Sequence, residues 1–342
     1  MSATITPATA AKRVGNFTVA FDQVRIAGRA AVVGPHEGKG NLTAYFDHIA
    51  ADPMWGESSA ERAERHYLRT ACRLALEAAG VRPEDVNYFL AGDLLNQLIT
   101  SNFVAHSLGI PFYGLFNACA TIAEGLALGA ALVDGGFADR VLVGASSHYQ
   151  TAERQYRYPI ELNVQRKPTN HWTTTGAGAA LLARDGAGPR LTLHTAGRVI
   201  DYGLKDVNDM GSAMAPAAAD TLLRHLADTG RHVGDYDLIL TGDLGRQGSK
   251  MFRMLVKEAG ITLGGKHKDG GVMMFKPEQQ AGAGASGAAC SATVIFGYAI
   301  KEMERGRYRR VLCLPTGSLH SPLSYQQGES IPTISHAVVL EW

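Results

Sequence analysis

The stretch LEAAGVRPEDVNYFLAGDLLNQ, Leu76–Gln97, reads as a helix end, a loop and a buried strand that closes on Gly92-Asp93-Leu94. A second stretch, LADTGRHVGDYDLILTGDLGRQ, Leu226–Gln247, follows the same course and closes on Gly242-Asp243-Leu244. The offset from Asp93 to Asp243 is 150 residues, and it also aligns Leu76 with Leu226, Gly80 with Gly230, Asp85 with Asp235 and Gln97 with Gln247. Chance similarity between helix–strand units would not place the matches at the same helix ends and turns, so the chain reads as a duplication. Further on, Cys119–Val143 resembles Ser291–Leu314 at an offset near 170. The second copy therefore holds about twenty extra residues, expected around Gly264–Gly271 and its flanks.

Outward from the repeat, strand-like and helical patterns alternate. Ala30–Val33 is a strand, and Ser59–Gly80 is a helix capped by Ser59, stopped by Gly80 and striped with Leu68, Cys72, Leu76 and Ala79. Val86–Leu90 is a strand, Cys119–Val133 an Ala/Leu-rich helix, and Val141–Val143 a strand followed by a turn, Gly144-Ala145-Ser146-Ser147. This alternation predicts an α/β fold with a largely parallel sheet covered on both faces. Residues 1–14 read as a loose tail, 15–190 as an N-terminal half and 191–342 as a C-terminal half.

Composition excludes several classes. The 342 residues carry 33 Lys+Arg against 32 Asp+Glu, so no overall charge recruits nucleic acid or anionic lipid. The cysteines Cys72, Cys119, Cys290 and Cys313 show neither CxxC pairing nor metal-ligand spacing, which excludes a disulfide scaffold and a structural zinc site. The N-terminus lacks the apolar core of a signal peptide, and the apolar runs near Gly125–Val133 and Ala292–Ile300 are too short to span a bilayer. The expectation is a soluble protein without resident metal or cofactor.

The chemistry concentrates on Asn117-Ala118-Cys119-Ala120, between an apolar run and a helix. A cysteine on such an elbow sits near free backbone N–H groups and a positive helix end, both of which favour a thiolate. A second helix start follows Ala285-Ser286-Gly287-Ala288-Ala289-Cys290, where small residues let a ligand approach the backbone. A buried cysteine in an Ala-rich region is otherwise inert packing.

The matching residues Asn117–Cys119, Asp139–Ser147, Thr175–Leu182 and Gly284–Ser291 resemble the thiolase-like superfamily. That resemblance implies two duplicated βαβαβαββ halves in five α-β-α-β-α layers, with a nucleophilic cysteine opening the buried helix of the first half. A closer likeness runs from about residue 24 onward through VVGPHEGKG, LGIPFYGLFNACAT, WTTTGAGAA, MGSAMAPAAADT, GASGAACSA and SPLSYQQGESIPTISHAVVLEW. These segments resemble the stage V sporulation protein AD family (SpoVAD). The likeness implies a non-catalytic fold that binds dipicolinic (pyridine-2,6-dicarboxylic) acid. It would act with membrane-embedded partners of the spore dipicolinate channel, peripheral to the spore inner membrane and on its cytoplasmic side, in sporulation and spore germination.

What is missing agrees with a binder. Condensing and acyl-transfer chemistry needs a general base and donors around the thioester oxygen. In ketoacyl-synthase relatives a histidine sits on the loop after the strand that here reads Leu238–Leu244, where this chain has none, and the family's catalytic asparagine falls in Gly284–Gly287, which has no amide side chain. The alternative is an active acyltransferase using Cys119, with His148, His171 or His320 as its base. A dipicolinate pocket would draw on Cys119, Asn117, Asn96, Ser146, Ser147, His148, Asp243 and Ser286. Asp93 and Asp243 would either cap the following helices or join a calcium chelated with the ligand. The basic stretches Arg154, Arg157, Arg166 with Lys167, and Arg305–Arg310, read as solvated surface or part of a dimer interface rather than as ligand or lipid sites. By the same resemblance a homodimer is expected.

Overall fold

A computed structural model describes residues 12–156 and 166–342. Residues 1–11, most of the expected tail, and Arg157 lie outside the described residues, while Lys12–Arg13 pair antiparallel with Thr18–Ala20.

The helices that matter below are α1 (Ala60–Ala79), α2 (Ile99–Leu108), α3 (Thr121–Asp134), α4 (Tyr149–Tyr156), α5 (Met210–Thr229), α6 (Gly245–Glu258), α7 (Gly270–Met274) and α8 (Ala288–Thr293). The repeat is explicit: α1 and α5 are both 20 residues long and start 150 positions apart. Ser59 caps α1 by accepting from the Arg62 N–H, and Gly80 ends it at φ 66°, as Gly230 ends α5 at φ 65°. At both ends the backbone must turn left-handed, which glycine does without strain.

The strands follow one order in both halves. From the centre outward they run Arg25–Val33, Gly176–Ala183, Arg140–Ser147, Tyr88–Gly92, Phe112–Gly114. On the other side they run Arg190–Thr195, Ala337–Glu341, Arg310–Leu314, Leu238–Thr241, His267–Asp269. The halves meet where Arg25 pairs with Arg190, within the strand that straddles the boundary expected at 190/191. Three apolar cores separate the layers. One joins α1 to the outer face of the first set of strands, and a second joins α5 and α6 to the outer face of the other set. The third lies between them and takes in α3, α8 and the inner faces of both sets.

The sheet is not largely parallel: along this order the five middle junctions are antiparallel and only the two outermost on each side are parallel, because the strands flanking the meeting of the halves run against their neighbours. A local reading is corrected as well. Gly144–Ser147 is not a turn but the end of the Arg140–Ser147 strand, in register with Gly176–Ala179. Small residues are needed there because α8 packs directly onto the neighbouring strand: a Cβ on Gly178 would lie 2.7 Å from that of Ala292. The extra residues of the second copy fall mainly after Asp269, in α7 and the loop to Gly287, that is at the end of the expected segment Gly264–Gly271 and in the flank that follows it. The offset is still 155 between Phe112 and His267, and reaches 170 between Ala118 and Ala288.

Candidate functional site

The buried centre is assembled where the two inner helices begin. Ala118 stands at φ 48°, a left-handed conformation that a residue with a Cβ adopts at a cost of about 1–2 kcal/mol. Thr121 holds the bend, its hydroxyl accepting from the Asn117 N–H at 3.0 Å and donating to the Ala118 carbonyl at 2.8 Å. A short 3-10 turn, Ala118–Ala120, precedes α3 and holds Cys119 in the interior.

From the second half, Asp243 reaches the same place. Its Oδ2 accepts from the Gly287 N–H at 2.9 Å, at the start of α8. Its Oδ1 is buried without a hydrogen bond of ordinary length, and the nearby Cys119 thiol together with the Gly287 N–H favours its ionised form. The expected thiolate is overturned. Burial first, then the adjacent Asp243 carboxylate, pushes the Cys119 thiol well above its usual range. Loss of solvation outweighs the helix end. Burial in turn raises Asp243 to about 7.

Cys119 opens on a small cavity whose walls include Tyr156, Thr173, Met210, Ser286 and His320. Its volume is about 30 Å3. Among the described residues no lysine or arginine lines it. His320 bonds Ser318 Oγ through Nδ1 at 2.8 Å and packs edge-on to Tyr156. Among the described residues no imidazole is hydrogen-bonded to Cys119.

The structure brings Cys119, Asp243 and Ser286 together with Ser147 beside the start of α8, sets Asn117 next to the cavity wall at Ala118, and places Ser146, His148 and Asn96 elsewhere. Ser146 and Ser147 are neighbours on one strand, so they point to opposite faces. Ser146 Oγ donates to Glu64 on the α1 side, whereas Ser147 Oγ donates to the Thr174 carbonyl and accepts from the Ala289 N–H beside α8. His148 Nε2 meets the Pro53 carbonyl at 3.0 Å while Nδ1 accepts from the Gln150 N–H, and burial lowers its pKa. His171 Nε2 meets the Leu244 carbonyl at 3.2 Å. Asn96 is exposed and bonded to Gln155.

Asn117 faces His336, a residue that sequence reasoning missed, at 3.2 Å from Nε2. His336 Nδ1 accepts from the Gly197 N–H, so Nε2 carries the proton and the Asn117 amide oxygen must turn toward it. Nothing local in SHAVVLEW marks this histidine, because the contact spans 219 residues. Tyr156 and Met210 were missed for the same reason.

Asp93 takes the capping role: Oδ1 accepts from Leu95 N–H, and Oδ2 from Ser101 N–H and Oγ. Of the basic stretch, Arg154 pairs with Glu61, Arg166 with Glu153 and Lys167 with Asp206. Arg305 and Arg307 share Glu302, and Arg310 pairs with Glu341. No group of three or more His, Cys, Asp or Glu residues suited to a metal ion occurs among the described residues. Nor is any helix there long and apolar enough to cross a membrane.

With this geometry in hand, comparison with known proteins is decisive for family. The sequence model of stage V sporulation protein AD (SpoVAD) matches residues 15–341. The chain belongs to the SpoVAD family. This SpoVAD-family chain is 45% identical to stage V sporulation protein AD of Bacillus subtilis over 333 residues, covering 96% of the chain and 98% of that protein. Its fold is thiolase-like. OleA of Xanthomonas campestris superposes with a TM-score of 0.62 at 19% identity, over 94% of this chain and 99% of the other. 3-Oxoacyl-[acyl-carrier-protein] synthase III of Aquifex aeolicus superposes with a TM-score of 0.58 at 14% identity, over 93% of this chain and all of the other. At such low identity the likeness speaks to fold alone.

Proposed function

We propose that this SpoVAD-family chain serves sporulation as a non-catalytic binding protein for dipicolinate, taken alone or as its calcium chelate. The observation that carries the reading is the state of Cys119. Its thiol is buried, held protonated beside a carboxylate, and has no hydrogen-bonded imidazole to take its proton. A nucleophilic cysteine requires the opposite: a depressed pKa or an adjacent base. With the scaffold retained and proton transfer unsupported, ligand handling is the function left to it.

The chain would work with membrane-embedded subunits and as a homodimer. A second copy would cover the edge strand Phe112–Gly114 and α2, where Tyr113, Phe116 and Phe103 are exposed. Unpaired strand edges beside apolar side chains favour such pairing.

Calorimetric titration with dipicolinate, with and without calcium, tests the reading, and saturable heat is expected. Incubation with acetyl-CoA followed by intact-mass measurement tests the opposite one. His320 lines the cavity and is the base an active enzyme would use, so a stable acyl adduct on Cys119 would restore an acyltransferase.

A further inference from the structure

Helix α6 packs with one side and carries charge on the other. Gly245, Gly248, Phe252 and Val256 are its buried residues, and a Cβ on Gly248 would come within 2.5 Å of the Gly211 carbonyl oxygen on α5. Arg246, Lys250, Arg253 and Lys257 are all exposed and spaced i, i+4, i+7 and i+11. That spacing gathers them into an outward arc of roughly 60°, along about 17 Å of helix. Lys268, from the adjacent strand His267–Asp269, adds a fifth cation beside Arg246, Lys250 and Arg253. Met254, 59% exposed, is the apolar side chain next to this row.

Among the described residues none of these five cations forms an ion pair, in contrast to Arg166, Arg305, Arg307 and Arg310. Such hydrogen bonds as they make go to neutral groups. Arg253 donates to His267 Nδ1 and to the Gly264 and His267 carbonyls, Arg246 to the Gly282 carbonyl, and Lys268 Nζ to the Tyr298 hydroxyl at 2.7 Å. Asp269, beside them, is buried, and its oxygens are engaged by the Leu244, Gly245 and Val272 N–H groups and the Thr241 hydroxyl. Glu258, the acid on α6 itself, falls outside the basic arc. Against a formal net charge of +1, this face leaves the rest of the chain net negative, so an anionic surface would draw the molecule in with α6 leading.

We propose that the outward face of α6 docks on an anionic lipid bilayer. Five cations without counter-ions match the spread negative charge of acidic headgroups, and Met254 can enter the headgroup layer beside them. The face also lacks what a shaped protein interface relies on. Among the described residues neither the exposed side of α6 nor the wall beside it presents Phe, Tyr or Trp, the usual anchors of such an interface. Its place in the fold leaves it open. The strand His267–Asp269 ends the sheet on the side away from Phe112–Gly114, so a second copy seated on that other edge leaves α6 uncovered. Docking of this kind goes beyond the ligand reading above and needs no ligand; it names the side that the chain turns to a membrane.

The test is co-sedimentation of the full chain with phosphatidylcholine vesicles containing about one third phosphatidylglycerol, against phosphatidylcholine alone, at low and raised salt. Binding is expected with the anionic vesicles only, and should weaken at least about tenfold near 1 M salt, where screening cuts the reach of a charge to about 3 Å. Lys250→Ala with Lys257→Ala should weaken it about 25-fold, at roughly fivefold for each lysine, while Lys250→Arg with Lys257→Arg should keep it within about twofold. Arg73→Ala with Arg82→Ala removes the same charge from exposed ion pairs of the first half and should also stay within about twofold of the parent. Equal binding to neutral vesicles, no binding to anionic ones, or the same loss in both alanine variants overturns the proposal. So does polyglutamate bound through Lys250 and Lys257 in place of vesicles, which would assign the face to an acidic polypeptide. Neither lysine holds an ion pair, so the alanine variant is expected to melt with the parent; should it unfold, the arginine variant and the salt and lipid series decide.

Discussion

Asp93 and Asp243 end equivalent strands 150 positions apart, yet they do different things. In the first half Asp93 accepts three hydrogen bonds and closes the turn into α2. In the second half that duty has passed to Asp269, which accepts from the Leu244 and Gly245 N–H groups at the start of α6. Asp243 is thereby released to reach across to Gly287 and Cys119. The same asymmetry separates the residues that open the inner helices. Ala118 adopts φ 48° in the first half, whereas the second half uses Gly287 at φ 103°. A duplicated scaffold thus has one half specialised for rigidity and the other for the buried polar contact. Nothing in the paired Gly-Asp-Leu motifs distinguishes them.

The strongest break in this comparison comes from the caps and helix starts. Asp93→Ala strands three buried donors and should cost about 3 kcal/mol in chemical denaturation, whereas Asp243→Asn keeps an oxygen to accept from the Gly287 N–H and should cost less than about 1 kcal/mol near pH 6.5. Equal losses would mean that both aspartates are structural. Gly287→Ala would put a Cβ 2.7 Å from Ser147 Oγ at a backbone angle closed to alanine, with an expected loss of about 3 kcal/mol. Ala118→Gly relieves strain but frees the unfolded chain, so its melting temperature should barely move, within about 1 kcal/mol either way.

A subtler difference is in pH. Burial raises Asp243 and Glu37 to about 7 and Glu64 to about 8. A carboxyl raised in the folded state stabilises most below its unfolded value, and that stability disappears as pH rises through the folded value. The buried histidines His194, His225 and His336, lowered to about 4, act only below about pH 6.5. Between pH 6.5 and 8 the carboxyls act alone, so thermal stability should fall with rising pH, each group near 7 contributing about 1 kcal/mol. Asp243→Asn should remove its share of that slope; an unchanged slope would show that Asp243 is already ionised.

The smallest effect sharpens the Cys119 assignment. Alkylation at neutral pH should be at least about tenfold slower than for an exposed thiol, and Asp243→Asn should speed it modestly by lowering the thiol pKa. A fast reaction in the parent chain would restore the thiolate.

Much of this architecture was legible in the chain itself. Period and punctuation located α1 with its Ser59 and Gly80 caps, and the 150-residue offset anticipated that α5 would copy it. Ser146 and Ser147 were misplaced because four small residues read locally as a turn, although register with Gly176–Ala179 makes them strand.

Local rules suffice where the forces are local. Helix caps, left-handed glycines and apolar stripes act between residues within a few positions, so the order of elements and the doubling of the unit follow from residue order. The state of Cys119 and the partner of Asn117 depend on groups about 120 to 220 positions away, and the freedom of Asp243 depends on Asp269, on a different strand. Desolvation and long-range hydrogen bonding set them, and those act only after folding has removed water and brought distant segments into contact.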